Sequence, residues 1–262
     1  MSFFKVTNIS AYYGQTSIIK DLSFELDSGS LLGILGANGC GKTTLLKAIC
    51  GILPHNGTCT LNNHVLERLT PKKIARLCSY IPQHSGITID ISTLDVVLMG
   101  FNPYLSLLER PNSAMREQAV LALSTVGLSG KEETNYMYLS EGQKQLCILA
   151  RTLVSNGQLL LLDEPESAMD FHFRYQMLKI LQNWVQQEER GVIITLHDPS
   201  LALNHCDQLL LMSDGKILDL LCPKTDPIEK MERQLSVLYG NISLHPCKDR
   251  NGVTKLLMMK ED

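Results

Sequence analysis

The stretch "ILGANGCGKTTLL", residues 34–46, sets Gly36, Gly39 and Gly41 between one apolar run and a Lys-Thr-Thr that opens another. Bare backbone lets successive N–H groups converge on one point with no Cβ in the way, and a helix N-terminus adds unpaired N–H groups and the positive end of its dipole. Gly36 to Thr43 fits G-x-x-x-x-G-K-[ST], with strand-like "LLGIL" before it and helix-like "KTTLLKAICGIL" after it, which is the context of a phosphate-binding loop. The expected nucleotide contacts are therefore Gly36, Asn38, Gly39, Cys40, Gly41, Lys42, Thr43 and Thr44. Lys42 would reach the β- and γ-phosphates of a nucleoside triphosphate, and Thr43 would ligate Mg²⁺. Cys40 lies inside the loop, where the helix dipole and Lys42 are expected to lower its thiol pKa, so that its alkylation blocks nucleotide binding.

Such a cradle calls for a carboxylate partner. "LLLLDEP" ends a four-leucine strand in Asp163 and Glu164, an arrangement that is costly unless a cation or a water network uses the acids. Asp163 is the expected second Mg²⁺ group, and Glu164 the general base that polarises a water for attack on the γ-phosphorus. Hydrolysis is expected rather than binding alone. Around these points, "SLLGILG", "QLLLLDEP", "GVIITLHD" and "DQLLLMSDGKIL" alternate with helical patterns, as a parallel sheet covered on both faces requires. "FFKVTNIS" and "SIIKDLSFEL" suggest an antiparallel hairpin before them, and residues 86–155 read as a helical insertion. The expected division is 1–85 and 156–225 as nucleotide-binding core, 86–155 as helical subdomain and 226–262 as a small appendage. In the appendage, Ile228, Met231, Leu235 and Leu238 share a helix face and a hairpin turns at Asn251-Gly252.

A phosphate loop and two acids would also suit a kinase or a RecA-like motor. The deciding stretch is "YLSEGQKQ", residues 138–145, which resembles the LSGGQ signature of ABC ATPases, and the other motifs of that family follow in its order. "ISAYYGQ" resembles the aromatic loop, which makes Tyr13 the adenine-stacking residue, and "YIPQH" resembles the Q-loop, giving Gln83. "SAMD" resembles the D-loop, giving Asp170, and "ITLHD" resembles the switch region, giving His197. The resemblance spans roughly residues 3–220. It implies a P-loop ABC-ATPase fold of the α/β class, a mixed sheet with an N-terminal antiparallel part and a helical insertion, and ATP and Mg²⁺ as cofactors. It further implies catalytic roles for Glu164, His197 and Gln83, the last also near the metal with Thr43 and Asp163. Ser140, Gly142 and Gln143 would meet the nucleotide of a second copy in a head-to-tail dimer. Glu141 departs from the pattern by placing a carboxylate where glycine is usual, and Glu166 and Met169 replace the usual Thr and Leu in a way that looks tolerable.

With 24 Lys and Arg against 27 Asp and Glu the net charge is −3, which argues against a dedicated nucleic-acid binder. No run is long and apolar enough to span a membrane. The eight scattered cysteines show no zinc-ligand spacing and read as reduced, packed thiols of a cytoplasmic chain. The Pro-bounded stretch at residues 96–113, with Phe101, Tyr104, Leu105, Leu107 and Leu108, is expected to expose apolar groups for docking. Its "G-x-x-P-Y-L" pattern resembles the ATPases of importers for iron-siderophores, haem and cobalamin. The expected partners are a second copy, integral membrane permease subunits and, indirectly, a substrate-binding protein, with the chain peripheral on the inner face of the membrane. The alternatives are an ABC transporter for zinc or manganese, amino acids or export, or a soluble ABC protein without transport.

Overall fold

The chain begins with β1 (Phe4–Tyr13) and β2 (Thr16–Leu26), an antiparallel pair that turns through Gly14 and Gln15, so that β1 takes in most of "ISAYYGQ". In the computed structural model the described residues are 2–83, 86–167, 169–187 and 189–262. His84 of "YIPQH", Ala168 of "SAMD" and Glu188 lie outside them. Next come β3 (Ser30–Gly36), α1 (Lys42–Ile49), β4 (His55–Leu61), β5 (His64–Val65), α2 (Pro71–Leu77) and β6 (Cys78–Ile81). The helical part holds α3 (Thr93–Leu98), α4 (Ser113–Thr125) and α5 (Glu141–Val154). Then β7 (Leu159–Leu162), α6 (Phe171–Val185), β8 (Gly191–Thr195), α7 (Pro199–His205), β9 (Gln208–Ser213) and β10 (Lys216–Leu221) alternate. The chain ends with α8 (Ile228–Tyr239) and the hairpin β11 (Ile242–Lys248) and β12 (Thr254–Lys260).

One sheet has the order β10-β9-β3-β8-β7-β6, parallel except for β10, and a second, antiparallel sheet has the order β2-β1-β4-β5. Successive side chains of a strand point to opposite faces, so an unbroken apolar run serves a strand that is covered on both. Leu32, Ile34, Leu159, Leu161, Ile193, Leu210 and Met212 join the core with α1 and the antiparallel sheet. Their alternates Leu31, Leu35, Leu160, Leu162, Val192, Ile194, Leu209 and Leu211 join the core with α3, α5, α6 and α7. The central sheet thus divides two cores, and the loops at its carboxyl edge emerge between them, where ligands bind in open parallel sheets. Among the described residues no helix is long and apolar enough to cross a membrane.

The docking stretch is only partly as expected. Phe101 and Leu105 are buried in the core against the helical part, while Leu107 and Leu108 are exposed. The loop is held by α2: Lys72 Nζ donates to Leu105 O at 2.7 Å, Arg76 Nε to Pro103 O at 2.9 Å, and the Arg76 guanidinium lies over the Tyr104 ring. Tyr104 OH in turn donates to Ser155 O. In the C-terminal part, Met231 and Leu235 of α8 are buried, with Ile228 and Leu238 packed beside them, as the periodicity predicts.

Candidate functional site

The carboxyl ends of β3, β6, β7 and β8 deliver four segments to one place. After β3, Gly36 has a specific reason to lack a side chain: a Cβ there would meet Met212 O at 2.4 Å and Cys40 Sγ at 2.6 Å. Gly41 adopts φ +111, which side-chain-bearing residues rarely reach, and it opens α1 with no side-chain cap. The first-turn N–H groups of α1 therefore face the cavity in front of them. That cavity, about 480 Å³, is lined by Asn38, Gly39, Gly41, Lys42, Thr43 and Thr44, with Ile18 beside them and Gln83, Glu164 and His197 across from them. Lys42 is almost fully buried, and its Nζ donates to Gly36 O at 2.9 Å and lies 3.6 Å from Glu164 Oε1.

Asp163 and Glu164, adjacent at the end of β7, have different surroundings. Asp163 is buried, and its Oδ1 accepts from the hydroxyls of Thr43 and Thr195, each at 3.1 Å, while Tyr80 OH donates to Oδ2 at 3.2 Å. Thr195 Oγ1 also accepts from the Glu164 N–H at 2.7 Å, tying β7 to β8. Burial, then the Asp163 charge, push the Tyr80 phenol up, so that it stays a proton donor to Asp163. Glu164 has φ +47, an uncommon conformation for a residue with a side chain, and turns its carboxylate into the cavity. There Glu164 Oε2 lies 2.7 Å from His197 Nε2 and accepts from Gln83 Nε2 at 3.0 Å. Gln83 is itself placed by Gln145 of α5, whose amide donates to Gln83 O at 3.0 Å.

Tyr80 and Thr195 belong to the site but are not among the residues that "YIPQH" and "ITLHD" give for it. Their signal is position: Tyr80 is the last but one residue of β6, three before Gln83, and Thr195 the last of β8, two before His197. Glu166, expected as a tolerable replacement, is buried and its Oε1 accepts from the His197 N–H at 2.8 Å.

Cys40 is a correction. Its side chain is buried beneath the loop, and burial pushes the thiol pKa up, outweighing the opposing pull of Lys42 and the backbone, with Asp214 adding to the rise. Buried and protonated, the thiol is not the reactive group the sequence suggests.

The remaining expected residues stand apart from the cavity. Tyr13 ends β1 half-exposed and does not line the phosphate cavity. Ser140 caps α5 in a capping box: its Oγ accepts from Gln143 N, and Gln143 Oε1 accepts from Ser140 N. Glu141 is turned to Lys144, 2.7 Å away, which partly neutralises it. Gly142 packs on α6, where a Cβ would meet the Phe173 ring at 2.5 Å. Asp170 caps α6 by accepting from Phe173 N at 3.1 Å.

A sequence model described as ABC transporter matches residues 19–167, more than half of the chain. This chain belongs to the ABC transporter family. As an ATP-binding subunit of that family it is similar to the probable iron chelatin transport ATP-binding protein of Helicobacter pylori, with 35% identity over 90% of this chain and 92% of the relative. It is 32% identical to the hemin import ATP-binding protein HmuV of Vibrio parahaemolyticus, over 92% and 94% of the two chains. Petrobactin import ATP-binding protein FpuD of Bacillus anthracis shares 31% over 89% and 86%. Among solved structures, an inward-facing ABC transporter described as being of metal-chelate type superposes with TM-score 0.84 and 25% identity, covering 100% of this chain and 99% of the other. Family membership implies ATP and Mg²⁺ binding and ATP hydrolysis. The uncapped N-terminus of α1 and the hard oxygen donors of Thr43 and Asp163 suit those two groups.

Proposed function

We propose that this chain hydrolyses ATP with Glu164 as general base and energises the uptake of a metal chelate through separate membrane subunits. The observation that carries the catalytic part is the Glu164 carboxylate, aimed into the phosphate cavity and held by His197 at 2.7 Å and Gln83 at 3.0 Å beside Lys42. Loop N–H groups from Gly39 to Thr44 and the Lys42 ammonium hold the phosphates, and Tyr13 stacks on the adenine. Thr43 and Asp163, with Gln83 nearby, hold Mg²⁺, which when bound offsets phosphate charge. Glu164 takes the proton of the attacking water, and His197 keeps that carboxylate in register while donating toward the γ-phosphate. Ser140, Gly142, Gln143 and Asp170 complete the site of a second copy. The uptake of a chelate is supported by the iron-chelatin, hemin and petrobactin functions in the names of the relatives. Leu107 and Leu108, fully or nearly fully exposed, suit contact with permease helices on the inner face of the membrane.

Glu164→Gln tests the base: nucleotide binding should be retained while turnover falls by the 100- to 10,000-fold that loss of general-base catalysis costs. Turnover equal to that of the native chain removes Glu164 from the role. Uptake of iron-siderophore, haem and cobalamin by cells in which only this gene is deleted and restored tests the substrate class. Uptake of all three unaffected by the deletion rejects it.

A further inference from the structure

Away from the nucleotide cavity, three side chains of different chemistry converge on the antiparallel sheet. His55 opens β4 and Cys59 lies four residues along it, beyond Gly57, whose φ of +89 and the register shift beside it interrupt the alternation of the strand. Glu67 reaches both from a single 3₁₀ turn, Leu66–Arg68, just after β5. A ring nitrogen, Sγ and a carboxylate oxygen of the three lie within 4.8 Å of one another. The backbone fixes the Glu67 end, since Cys59 N–H donates to Glu67 Oε1 at 2.7 Å.

The histidine shows what the cluster suits. Its Nδ1 is 3.3 Å from Leu53 O and its Nε2 is 3.0 Å from Glu67 Oε1, so both ring nitrogens face oxygen acceptors. A neutral imidazole has one N–H for two such positions. With that proton on Nδ1, bonded to a backbone carbonyl, the ring is oriented as metal-ligating histidines are, and the Nε2 lone pair meets a carboxylate oxygen at 3.0 Å, a repulsive contact that an ion set to one side of the pair and bound to both atoms would relieve. The Cys59 side chain is fully buried, and burial, then the facing Glu67 carboxylate, push its thiol up. A bound cation inverts that balance and releases the thiol proton to solvent.

We propose that His55 Nε2, Cys59 Sγ and Glu67 Oε1 form a site for one divalent ion of the zinc class. Nitrogen, sulfur and oxygen together suit such a borderline ion, whereas Mg²⁺ and Ca²⁺ take oxygen ligands. Glu67 is the more exposed of the two ion-paired side chains, 26% against 7% for His55, so solvent reaches the fourth position from its side. None of the three residues lines the nucleotide cavity. The site belongs to the same sheet as Tyr13, because His55 pairs with Ala11 of β1. The ion would clamp the turn after β5 onto β4. The inference stands whatever the transported substrate is.

The test uses the full chain, stripped of metal and free of nucleotide, titrated with Co²⁺ and then with Zn²⁺. One equivalent of Co²⁺ should produce a thiolate-to-cobalt charge-transfer band, and one equivalent of Zn²⁺ should abolish it. His55→Gln, Cys59→Ser and Glu67→Gln should each weaken Zn²⁺ binding by about 100-fold or more, beyond the usual loss from removing an outer-shell partner. Cys247→Ser, which removes the exposed thiol, should change nothing. Glu67→Gln keeps an acceptor for the Cys59 N–H, so it stays informative if the buried Cys59→Ser chain does not fold. Absence of the band at one equivalent, its survival in Cys59→Ser, or a Zn²⁺ affinity equal to that of the native chain in His55→Gln or Glu67→Gln overturns the proposal.

Discussion

Glu166 holds His197 by its backbone: one carboxylate oxygen accepts the His197 N–H, and the other is buried with no hydrogen-bond partner among the described residues. Burial raises its carboxyl pKa above the ordinary 4.5, with the His197 backbone bond as the largest opposing influence. The folded state therefore binds this proton more tightly than the unfolded chain. Its stabilising contribution is fully present below pH 4.5 and is lost as pH rises through the elevated folded value. Glu166→Gln keeps an acceptor for His197 N–H and removes the buried charge. Its Tm relative to the native chain should rise between pH 4.5 and 7, by a few degrees if the effect is an ordinary one of about 1 kcal/mol. A difference in Tm that stays flat across that window would show that the charge carries no such cost. The sequence gives no hint of this contact, because Glu166 and His197 are 31 residues apart and meet only through the pairing of β7 with β8. Cys40 was misread for a related reason: the dipole and Lys42 are visible in the loop spelling, whereas the Met212 strand that helps bury the thiol lies far along the chain.

At the scale of elements, the strands of the central sheet were legible because their apolar runs have one physical reading, burial on both faces. The stretch at 96–113 was not, since it lacks periodicity and since α2, which reaches over to hold it, decides which of its apolar groups are covered. The signature segment is legible as a helix start, but its spelling fits two roles. Ser140 caps α5 in the structure, and the proposed function also has it meet phosphate. Two substitutions separate the roles. Ser140→Ala removes the cap and should cost about 1 kcal/mol of stability. Ser140→Asp caps equally well and suits the helix dipole, so Tm should be retained. An added carboxylate about 4 Å from a phosphate costs about 4 kcal/mol near a protein surface, so turnover should fall by on the order of 100-fold or more. If Ser140→Asp hydrolyses ATP like the native chain, the segment is a cap and nothing else.

For the whole molecule, the geometry leaves a division that one copy does not close. The phosphate cavity is complete with respect to Lys42, Glu164, Gln83 and His197, yet none of Ser140, Gly142, Gln143 and Asp170 lines it. These four gather at the N-termini of α5 and α6, two helix starts joined through the packing of Gly142 on Phe173. A two-fold, self-complementary association would set this pair of helix starts against the cavity of the partner, so that each nucleotide is held by both copies. The decisive measurement uses Glu164→Gln chains with Cys247→Ser, mixing a copy carrying Ser140→Cys with a copy carrying Asn38→Cys in the presence of the membrane subunits. ATP and Mg²⁺ should give a disulfide-linked dimer between the two kinds of copy, and ADP should give little. A link that forms equally well with ADP, or that fails to form with ATP, would mean that the two surfaces do not meet around nucleotide, and the residues assigned to α5 and α6 would lose their part in hydrolysis.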